Sequence, residues 1–405
     1  MAPESLRFLH TADLHLDVPI HAIADAPPAV VDRMAGLSSR LLQRIMEIAA
    51  SEEVQFVLLA GDVIDWRLAG PALCEEWITF CETVAEQGIP IVWATSAAER
   101  AKPIPAVFLP RGVVFLSGER PQVMDCTLRN GTRVVFVHWP EGAAIPDSEA
   151  FLASGREGDY VIAVRHRSGR EGLPGLVPLD YWALGGGHKK QTELSGTLTL
   201  HDPGTPLARR PSEEHNASVT VVTLRQGGNC DLRHTSTGLL RWETIPLLVT
   251  DTFSEAEFLA QAVQEWESRR QSASGEALLR FEACGDPVRM IAWRREGVFD
   301  RVLAELRSRC ERDHGSPWPL GIDFHPWEEW PSEWLNEDSF RGELLRQTFA
   351  APGDLYEETA GEVCDLPEEL RTELQSSLGG DDPDGLGRLV AVAVLERLRA
   401  AEDGS

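Results

Sequence analysis

A repeated pattern, in which a short apolar run ends in metal-binding residue types, constrains the fold of this chain most. The apolar run at residues 6–10 leads into the loop TADLHLD, which carries Asp13 and His15. The continuous apolar run VQFVLLA at 54–60 leads in the same way into GDVID, which carries Asp62. Because parallel strands of a layered sheet gather their ends at one edge, this pattern predicts an α/β fold with a site at that edge.

Three later apolar runs end in histidine. The run at 133–137 precedes His138, and the run at 159–164 precedes His166. The run at 181–184 ends in three glycines and His188. A single histidine is more often a packed or solvent-facing residue than a ligand, but its recurrence at one structural place favours function. Carboxylates and imidazoles together suit a hydrolytic transition metal such as Mn, Fe or Zn.

Helical periodicity separates these runs and changes character near residue 250. Apolar residues at helical spacing predict helices at 37–50 and 72–86, with a strand at 89–94 after them. Beyond 250, the pattern predicts a helix at 254–270, a strand at 276–283 and a helix at 297–309. We therefore expect a domain over residues 1–250, a smaller α/β capping domain over 251–330 and an acidic helical C-terminal region over 331–405.

The composition and the first residues indicate where in the cell we expect this protein. The chain has 405 residues, of which 43% are hydrophobic and 25% charged, and no apolar run reaches the length of a membrane span. The first residues lack the basic and long apolar regions of a signal peptide, so we expect a cytoplasmic protein without membrane contact. Seven scattered cysteines without a C-x-x-C pair predict neither a disulfide framework nor a zinc ribbon.

The chain is acidic overall, but basic residues lie next to two of the histidines. Net charge is −26, and residues 331–405 hold 18 Asp and Glu against 6 Arg and no Lys. That region is a poor surface for phosphates, because phosphate binding requires Lys and Arg. Two of the three lysines, Lys189 and Lys190, follow His188 directly, and Arg165 and Arg167 flank His166. These four residues are the predicted phosphate-binding set, although solvated arginines fit the pattern equally well.

In several motifs the chain resembles the calcineurin-like metallophosphoesterases, in particular the SbcD/YhaO branch of DNA repair exonucleases. TADLHLD and LAGDVID are similar to the first two motifs of that family, and DYWALGGGHKKQ resembles its ALGHxH segment. DPGTPLARRP resembles a following P-G-S/T-P stretch, and weaker similarity continues to DSFRGELLRQTF. The resemblance implies a four-layer metallophosphoesterase sandwich with a capping domain and a helical tail.

The resemblance also implies a ligand set for two adjacent metal ions. For one ion the set is complete, with Asp13, His15, His188 and a bridging Asp62. For the second ion, Asp62 and His166 remain. We therefore expect one bound ion, manganese or else iron or zinc, and an empty second site.

Three of the positions that depart from the family pattern are functional ones. Where the family has Gly-Asn-His-Asp, this chain has Ser96, Ala97, Ala98 and Glu99, so the family's ligand Asn and catalytic His are both Ala. Gly186 stands where the ALGHxH segment has its first His. Neither Ala nor Gly can coordinate a metal or transfer a proton through its side chain. His138 is the candidate substitute ligand.

Two functions follow from this mixture of retained and lost residues. The first is a DNA repair nuclease homologue that hydrolyses phosphodiesters weakly or not at all. The alternative is a non-catalytic subunit or scaffold that binds nucleic acid ends or an SMC-like ATPase of the SbcC/YhaN type. The apolar face of residues 386–398 and the Trp-rich segment 325–334 are the expected packing or docking surfaces, with a homodimer as a further candidate assembly.

Overall fold

The structure is a computed structural model. It describes residues 5–324, apart from 24, 103, 106–108, 142, 144–159, 167–178, 226–228, 273–274 and 314–315, together with residue 338. The Trp-rich segment and nearly all of the acidic C-terminal region therefore lie outside the described residues. Among the residues that are described, no helix is long and apolar enough to cross a membrane.

The first sheet has six strands in the order β12-β11-β1-β2-β3-β4. Its four strands from β1 to β4 are parallel, and β11 and β12 extend the sheet antiparallel beyond β1. Strands β1 to β3 match the predicted apolar runs and end immediately before the polar loops. The bounds are β1 Ser5–Thr11, β2 Val57–Ala60, β3 Ile91–Ala94, β4 Val113–Leu116, β11 Ser218–Arg225 and β12 Asn229–Ser236.

The second sheet also has six strands, in the order β5-β6-β7-β8-β10-β9. The four inner strands are parallel, and the two edge strands β5 and β9 are antiparallel to their neighbours. Strands β6, β7 and β8 are the three apolar runs predicted before His138, His166 and His188. The bounds are β5 Gln122–Thr127, β6 Arg133–His138, β7 Tyr160–His166, β8 Tyr181–Gly185, β9 Lys190–Ser195 and β10 Leu198–Pro203.

A single apolar core lies between the two sheets. Alternate side chains of both sheets meet there, because successive residues of a strand point to opposite faces. Phe8 stacks on Phe56 at 4.6 Å between ring centroids, and Phe56 meets Phe136 of the second sheet edge to face at 5.3 Å. Each such fully buried ring stabilises the fold by roughly 1.5–3 kcal/mol through the hydrophobic effect. The core thereby fixes how the strand ends of the two sheets meet.

Four helices follow the strands of the first sheet, and the two long ones match the helices predicted at 37–50 and 72–86. The two long ones pack on one another, and the second of them packs against β3. The bounds are α1 Pro28–Ala35, α2 Leu37–Ser51, α3 Pro71–Glu86 and α4 Ala97–Arg100. The two packed sheets and this helix layer confirm the predicted α/β sandwich.

The described chain divides into two units, the first comprising residues 5–243 and 275–278 and the second residues 244–272 and 279–324. The remaining strands form a three-stranded sheet in the order β13-β14-β15. In the second unit, Phe258 contacts Trp293 and Phe299, which builds a small aromatic core. The bounds are β13 Leu240–Val249, β14 Glu276–Gly285, β15 Trp318–Phe324, α5 Glu255–Ser272, α6 Pro287–Arg295 and α7 Val298–Arg312. The predicted boundaries at 250 and 330 stay predictions.

Candidate metal centre

Backbone strain is concentrated at the predicted ligands. Among the described residues, five that are not glycine have a positive φ, and four of them are Asp13, His15, Asp62 and His188, with φ between 44° and 52°. This left-handed conformation costs a side-chain-bearing residue on the order of 1–3 kcal/mol, so it persists only where the surroundings enforce it. Four strained residues of metal-binding types at neighbouring strand ends indicate a functional site.

Main-chain hydrogen bonds hold the first two ligand loops in this conformation. The N–H of Asp13 donates to the carbonyl of Gly61 at 3.1 Å, and the N–H of His15 donates to the carbonyl of Asp62 at 2.9 Å. Gly61 has a φ of +82°, and a Cβ there would meet the His166 ring at 2.4 Å. Main-chain hydrogen bonds therefore connect the loops after β1 and β2 to one another, and Gly61 in the second loop lies against the His166 ring.

One group of metal-binding atoms comes from Asp13, His15 and His188, whose nearest ligand atoms all lie within 4.8 Å of one another. Nε2 of His15 and Nε2 of His188 are 3.2 Å apart. Nδ1 of His188 lies 3.0 Å from Oε1 of Glu213, so Nε2 is the nitrogen left for a metal. The hydrogen bond to Glu213 also raises the pKa of His188.

The second group comes from Asp13, Asp62 and His166. Nε2 of His166 lies 3.1 Å from Oδ1 of Asp13 and 3.3 Å from Oδ2 of Asp62. Burial disfavours the charged imidazole, but the hydrogen bonds to the two carboxylates outweigh it and raise the pKa of His166 to about 10. Burial likewise acts against the Asp62 carboxylate, yet His166 holds the pKa of Asp62 well below its usual range. His166 is thus the hydrogen-bond partner that both carboxylates share.

The residue common to both groups is Asp13, whereas the family resemblance implied that Asp62 bridges the ions. Oδ2 of Asp62 lies 4.0 Å from Nε2 of His15, so it is adjacent to the first group. All five predicted ligands are nevertheless brought together at one edge of the two sheets. Two carboxylates and three imidazoles form a donor set that suits a divalent transition metal, and the paired Nε2 atoms of His15 and His188 fit such an ion.

The segment that departs from the family motif has become a capped turn of helix. Ser96 caps α4, and Ala97 and Ala98 on its first turn are exposed. The Glu99 carboxylate accepts main-chain N–H groups from Asp62 at 3.2 Å, Val63 at 2.7 Å and Ser96 at 2.8 Å. Burial raises the pKa of Glu99 despite these bonds. Glu99 therefore secures the Asp62 loop from behind.

The other substituted position, Gly186, contributes through its main chain. Its N–H donates to Oδ2 of Asp13 at 2.9 Å and to Oδ1 at 3.1 Å. Its neighbour Gly187 donates to Oδ2 of Asp202 at 3.1 Å, which anchors the same loop to β10. Glycine at 186 thus brings a main-chain donor directly onto the shared carboxylate.

His138 is close to this region but belongs to neither group. Its side chain is buried, it faces the core between the sheets with Phe136, and neither ring nitrogen has a hydrogen-bond partner within the described part of the chain. Burial and the nearby charge of Arg100 lower the pKa of His138 to about 4. In this geometry His138 is a neutral buried imidazole, and its role as a substitute ligand stays a prediction.

The predicted phosphate-binding residues are dispersed. Arg165 is buried and, by strand alternation, shares the outer face of the second sheet with Ala163 and Leu184, opposite His166. Lys189 is exposed, and Lys190 is half-buried at the start of β9. Arg167 lies outside the described residues. The structure therefore leaves the two lysines beside His188 as the candidates nearest to the ligand loops.

A solvent-facing cleft opens beside His15 and Asp62. Leu68 at its rim is 71% exposed, and Lys102 forms an ion pair with Asp65 inside it. The cleft gives a substrate access to one side of the ligand groups. The other lining residues are Asp17, Ile64, Ala98 and Glu99.

Sequence reasoning missed the residues that support the ligands from behind. Glu213 and Arg209 lie in the stretch DPGTPLARRPSEEHN, whose first ten residues resemble a family motif. Glu213 binds His188, and Arg209 reaches the loop that carries His15. A buried acid in a polar stretch gives no local signal, because its partner lies 25 residues away in sequence.

Comparison with known proteins finds a relative that matches most of the chain. No family model matches the chain. The chain is 23% identical over 360 residues to the uncharacterized metallophosphoesterase YhaO of Bacillus subtilis (strain 168). The alignment covers 84% of this chain and 86% of that protein. Structural matches include the phosphoesterase YfcE of E. coli, at 15% identity and a TM-score of 0.29, covering 57% of this chain and 100% of that one. A dimetal phosphatase from Danio rerio matches at 13% identity and a TM-score of 0.33, covering 57% of this chain and 99% of that one.

The match to YhaO extends over most of both sequences, and the Asp and His residues of the motifs that carry the family resemblance meet at one edge of the fold. These two findings together support a relationship of the chain to the YhaO-type metallophosphoesterases.

Proposed function

We propose that this protein is a metal-dependent phosphoester hydrolase that acts on phosphodiesters in nucleic acid, in the manner of a DNA repair nuclease, at a low rate. The observation that carries the proposal is the meeting of Asp13, His15, Asp62, His166 and His188 at one edge of the sheets, four of them with strained backbones. A bound divalent cation supplies Lewis-acid polarisation of a phosphoryl oxygen and a nucleophile at neutral pH.

The protein's own residues account for the expected low rate. Asp13, His15 and His188 would hold the cation, with Asp62 beside them. Ala98 lines the cleft where the resemblance implies a catalytic histidine, and a methyl group cannot donate a proton to the leaving group. General acid help of that kind is typically worth about 10²–10⁴ in rate. We therefore expect hydrolysis slower than that of an intact relative by at least this factor.

Electrostatics also limits binding of a long polyanion. The chain carries a net charge of −26, and the cleft adds the carboxylates of Asp17 and Asp65 beside the ligands. Lys102 is already paired with Asp65. Lys189 and Lys190, which follow His188 in the chain, are two of only three lysines, and affinity for DNA should accordingly be weak and strongly salt-dependent.

The decisive experiment measures metal content and nuclease activity on the same preparation. Protein purified with manganese is analysed for metal by elemental analysis and assayed on single- and double-stranded DNA. We expect about one ion per chain and slow, manganese-dependent cleavage. The Asp13→Asn variant should lose both, while Asp125→Asn, on the exposed edge strand β5, should keep both. Metal-free wild-type protein, or cleavage that survives Asp13→Asn, would overturn the proposal.

A second candidate function is a non-catalytic subunit that binds an SMC-like ATPase of the SbcC/YhaN type or nucleic acid ends. The exposed Ala97 and Ala98 and the Gly186 main chain favour it, because each stands where the resemblance implies a functional side chain. Co-expression with such an ATPase and size-exclusion chromatography distinguish the two. A stable complex that also forms with Asp13→Asn, together with no cleavage by either protein, would support this second function.

A further inference from the structure

We infer that Glu213 is a positioning residue, which fixes the imidazole of His188 with Nε2 directed at the metal-binding group. The inference rests on the proposed metal site and goes beyond it, since Glu213 touches no metal-binding atom except through His188. Oε1 of Glu213 lies 3.0 Å from Nδ1 of His188, while Nε2 of His188 lies 3.2 Å from Nε2 of His15. One ring nitrogen is thus held by the protein and the other is presented to the site.

Glu213 is itself held in place by a second bond. Its Oε2 accepts the main-chain N–H of Arg209 at 2.8 Å, so both carboxylate oxygens are used. The side chain is buried, with 6% of the residue exposed, and it lies in the short 3₁₀ helix Pro211–Asn216. A buried carboxylate with two fixed donors has one orientation, and it imposes that orientation on the His188 ring.

Arg209 extends this support to the other ligand loop. Its Nε donates to the carbonyl of Val18 at 2.8 Å, and its Nη2 lies 3.5 Å from Oγ of Ser38. Ser38 in turn donates to the carbonyl of Leu16 at 2.8 Å. The chain segment that carries Glu213 and Arg209 therefore holds the loop of His188 and the loop of His15 at the same time.

The chemical consequence concerns which nitrogen of His188 carries the proton. A carboxylate at Nδ1 keeps the proton there, so the lone pair of the neutral ring is on Nε2. Loss of such a supporting carboxylate typically weakens metal binding by about 10–100-fold. The strained φ of His188 adds to this need, because a left-handed residue without its partner can relax to another conformation.

The isosteric variant Glu213→Gln tests the inference without changing volume. Glu213 accepts two N–H donors, whereas a glutamine amide offers one oxygen and one NH₂ group and cannot accept both. If its NH₂ faces Nδ1 of His188, the imidazole proton moves to Nε2, the nitrogen that would bind the metal. The matched control is Glu193→Gln on the exposed strand β9, which removes the same charge at a surface position. Calorimetric titration of the purified, metal-stripped full chain with Mn²⁺ should give a Kd about 10–100-fold higher for Glu213→Gln and an unchanged Kd for Glu193→Gln.

A second measurement keeps the inference separate from the proposed function. ¹⁵N NMR of the histidine side chains in metal-free protein, with His188 assigned by its absence in His188→Gln, should show the proton on Nδ1 in the wild type. In Glu213→Gln this preference should be lost, and Glu213→Asp should restore part of it. Wild-type protein that binds no Mn²⁺ but shows this Nδ1 preference would overturn the proposed function and leave the positioning role standing. An unchanged tautomer and an unchanged Kd in Glu213→Gln would overturn the inference.

Discussion

The main-chain N–H of Gly186 lies 2.9 Å from Oδ2 of Asp13, so a backbone donor contacts the carboxylate shared by both ligand groups. Gly186 has a φ of +90°, a conformation that residues with a side chain rarely adopt. The glycine at this position is therefore more than a lost histidine. Its conformation brings the N–H onto Asp13, and any side chain here would strain that contact.

We predict that Gly186→Ala lowers the free energy of unfolding by about 1–2 kcal/mol, the usual cost of a left-handed residue with a Cβ. Urea denaturation of the metal-free protein measures this change. Gly36→Ala is the control, since Gly36 has a φ of −70° and a Cβ there would make ordinary contacts at 3.6 Å. Equal stability of the two variants would show that the conformation of Gly186 is not constrained.

A second prediction concerns Glu99, which joins α4 to the Asp62 loop. Glu99→Ala removes the acceptor of three main-chain N–H groups, among them those of Asp62 and Val63. Unsatisfied donors of this kind should lower the free energy of unfolding by about 2–4 kcal/mol. The variant should also weaken Mn²⁺ binding, because the strained backbone of Asp62 then loses its hydrogen bond to Glu99.

Urea denaturation and calorimetric titration test this prediction together. Glu82→Ala, at an exposed position of α3, is the control for loss of a glutamate from a helix. Should Glu99→Ala unfold at the same urea concentration as Glu82→Ala, the bonds from Glu99 would contribute nothing to the loop.

A third prediction follows from a buried histidine cluster apart from the ligand groups. His201 is fully buried, and its ring nitrogens meet Thr192 at 2.9 Å and Thr220 at 2.8 Å, with His10 and His234 packed on either side. Burial, with the charge of His234 next, lowers the pKa of His201 to about 3. The folded protein therefore holds a neutral ring that the unfolded chain protonates near pH 6.5.

The sign of the pH dependence follows from that difference. Between about pH 6.5 and 3 the unfolded state binds the extra proton, so the free energy of unfolding falls as pH falls, by up to about 1.4 kcal/mol per unit for this one group. Above pH 6.5 this contribution is constant. Denaturation of the wild type and of His201→Gln at pH 7 and pH 5 should show a smaller drop for the variant. An equal drop in both would exclude His201 as its source.

The sequence predicted the strand ends correctly because the strands that carry the ligands are continuous apolar runs. β2 and β8 are buried at every residue, so their composition alone marks them, and the polar residue that follows each run marks the loop. The edge strand β9 was missed since it reads KQTELS and is largely exposed. Glu213 and Glu99 were missed as support because their partners are set by packing between distant segments, which no local pattern records.

The last prediction concerns Ala98, which lines the cleft beside His15 and Asp62. If the missing proton donor limits the rate, a histidine placed there should restore part of the catalysis that general acid help provides, about 10²–10⁴ in favourable geometry. Ala98 is exposed on the first turn of α4, so the larger side chain needs no repacking of a core. We therefore expect Ala98→His to increase Mn²⁺-dependent hydrolysis of bis(p-nitrophenyl) phosphate by at least tenfold at pH 7. Ala98→Gln is the matched control, because it places a side chain of similar length at the same exposed position without a group that donates a proton near pH 7. Asp13→Asn in the Ala98→His background should abolish the gain, which ties the gain to the ligand group. Equal rates for Ala98→His and Ala98→Gln would show that proton donation from this position does not limit the reaction.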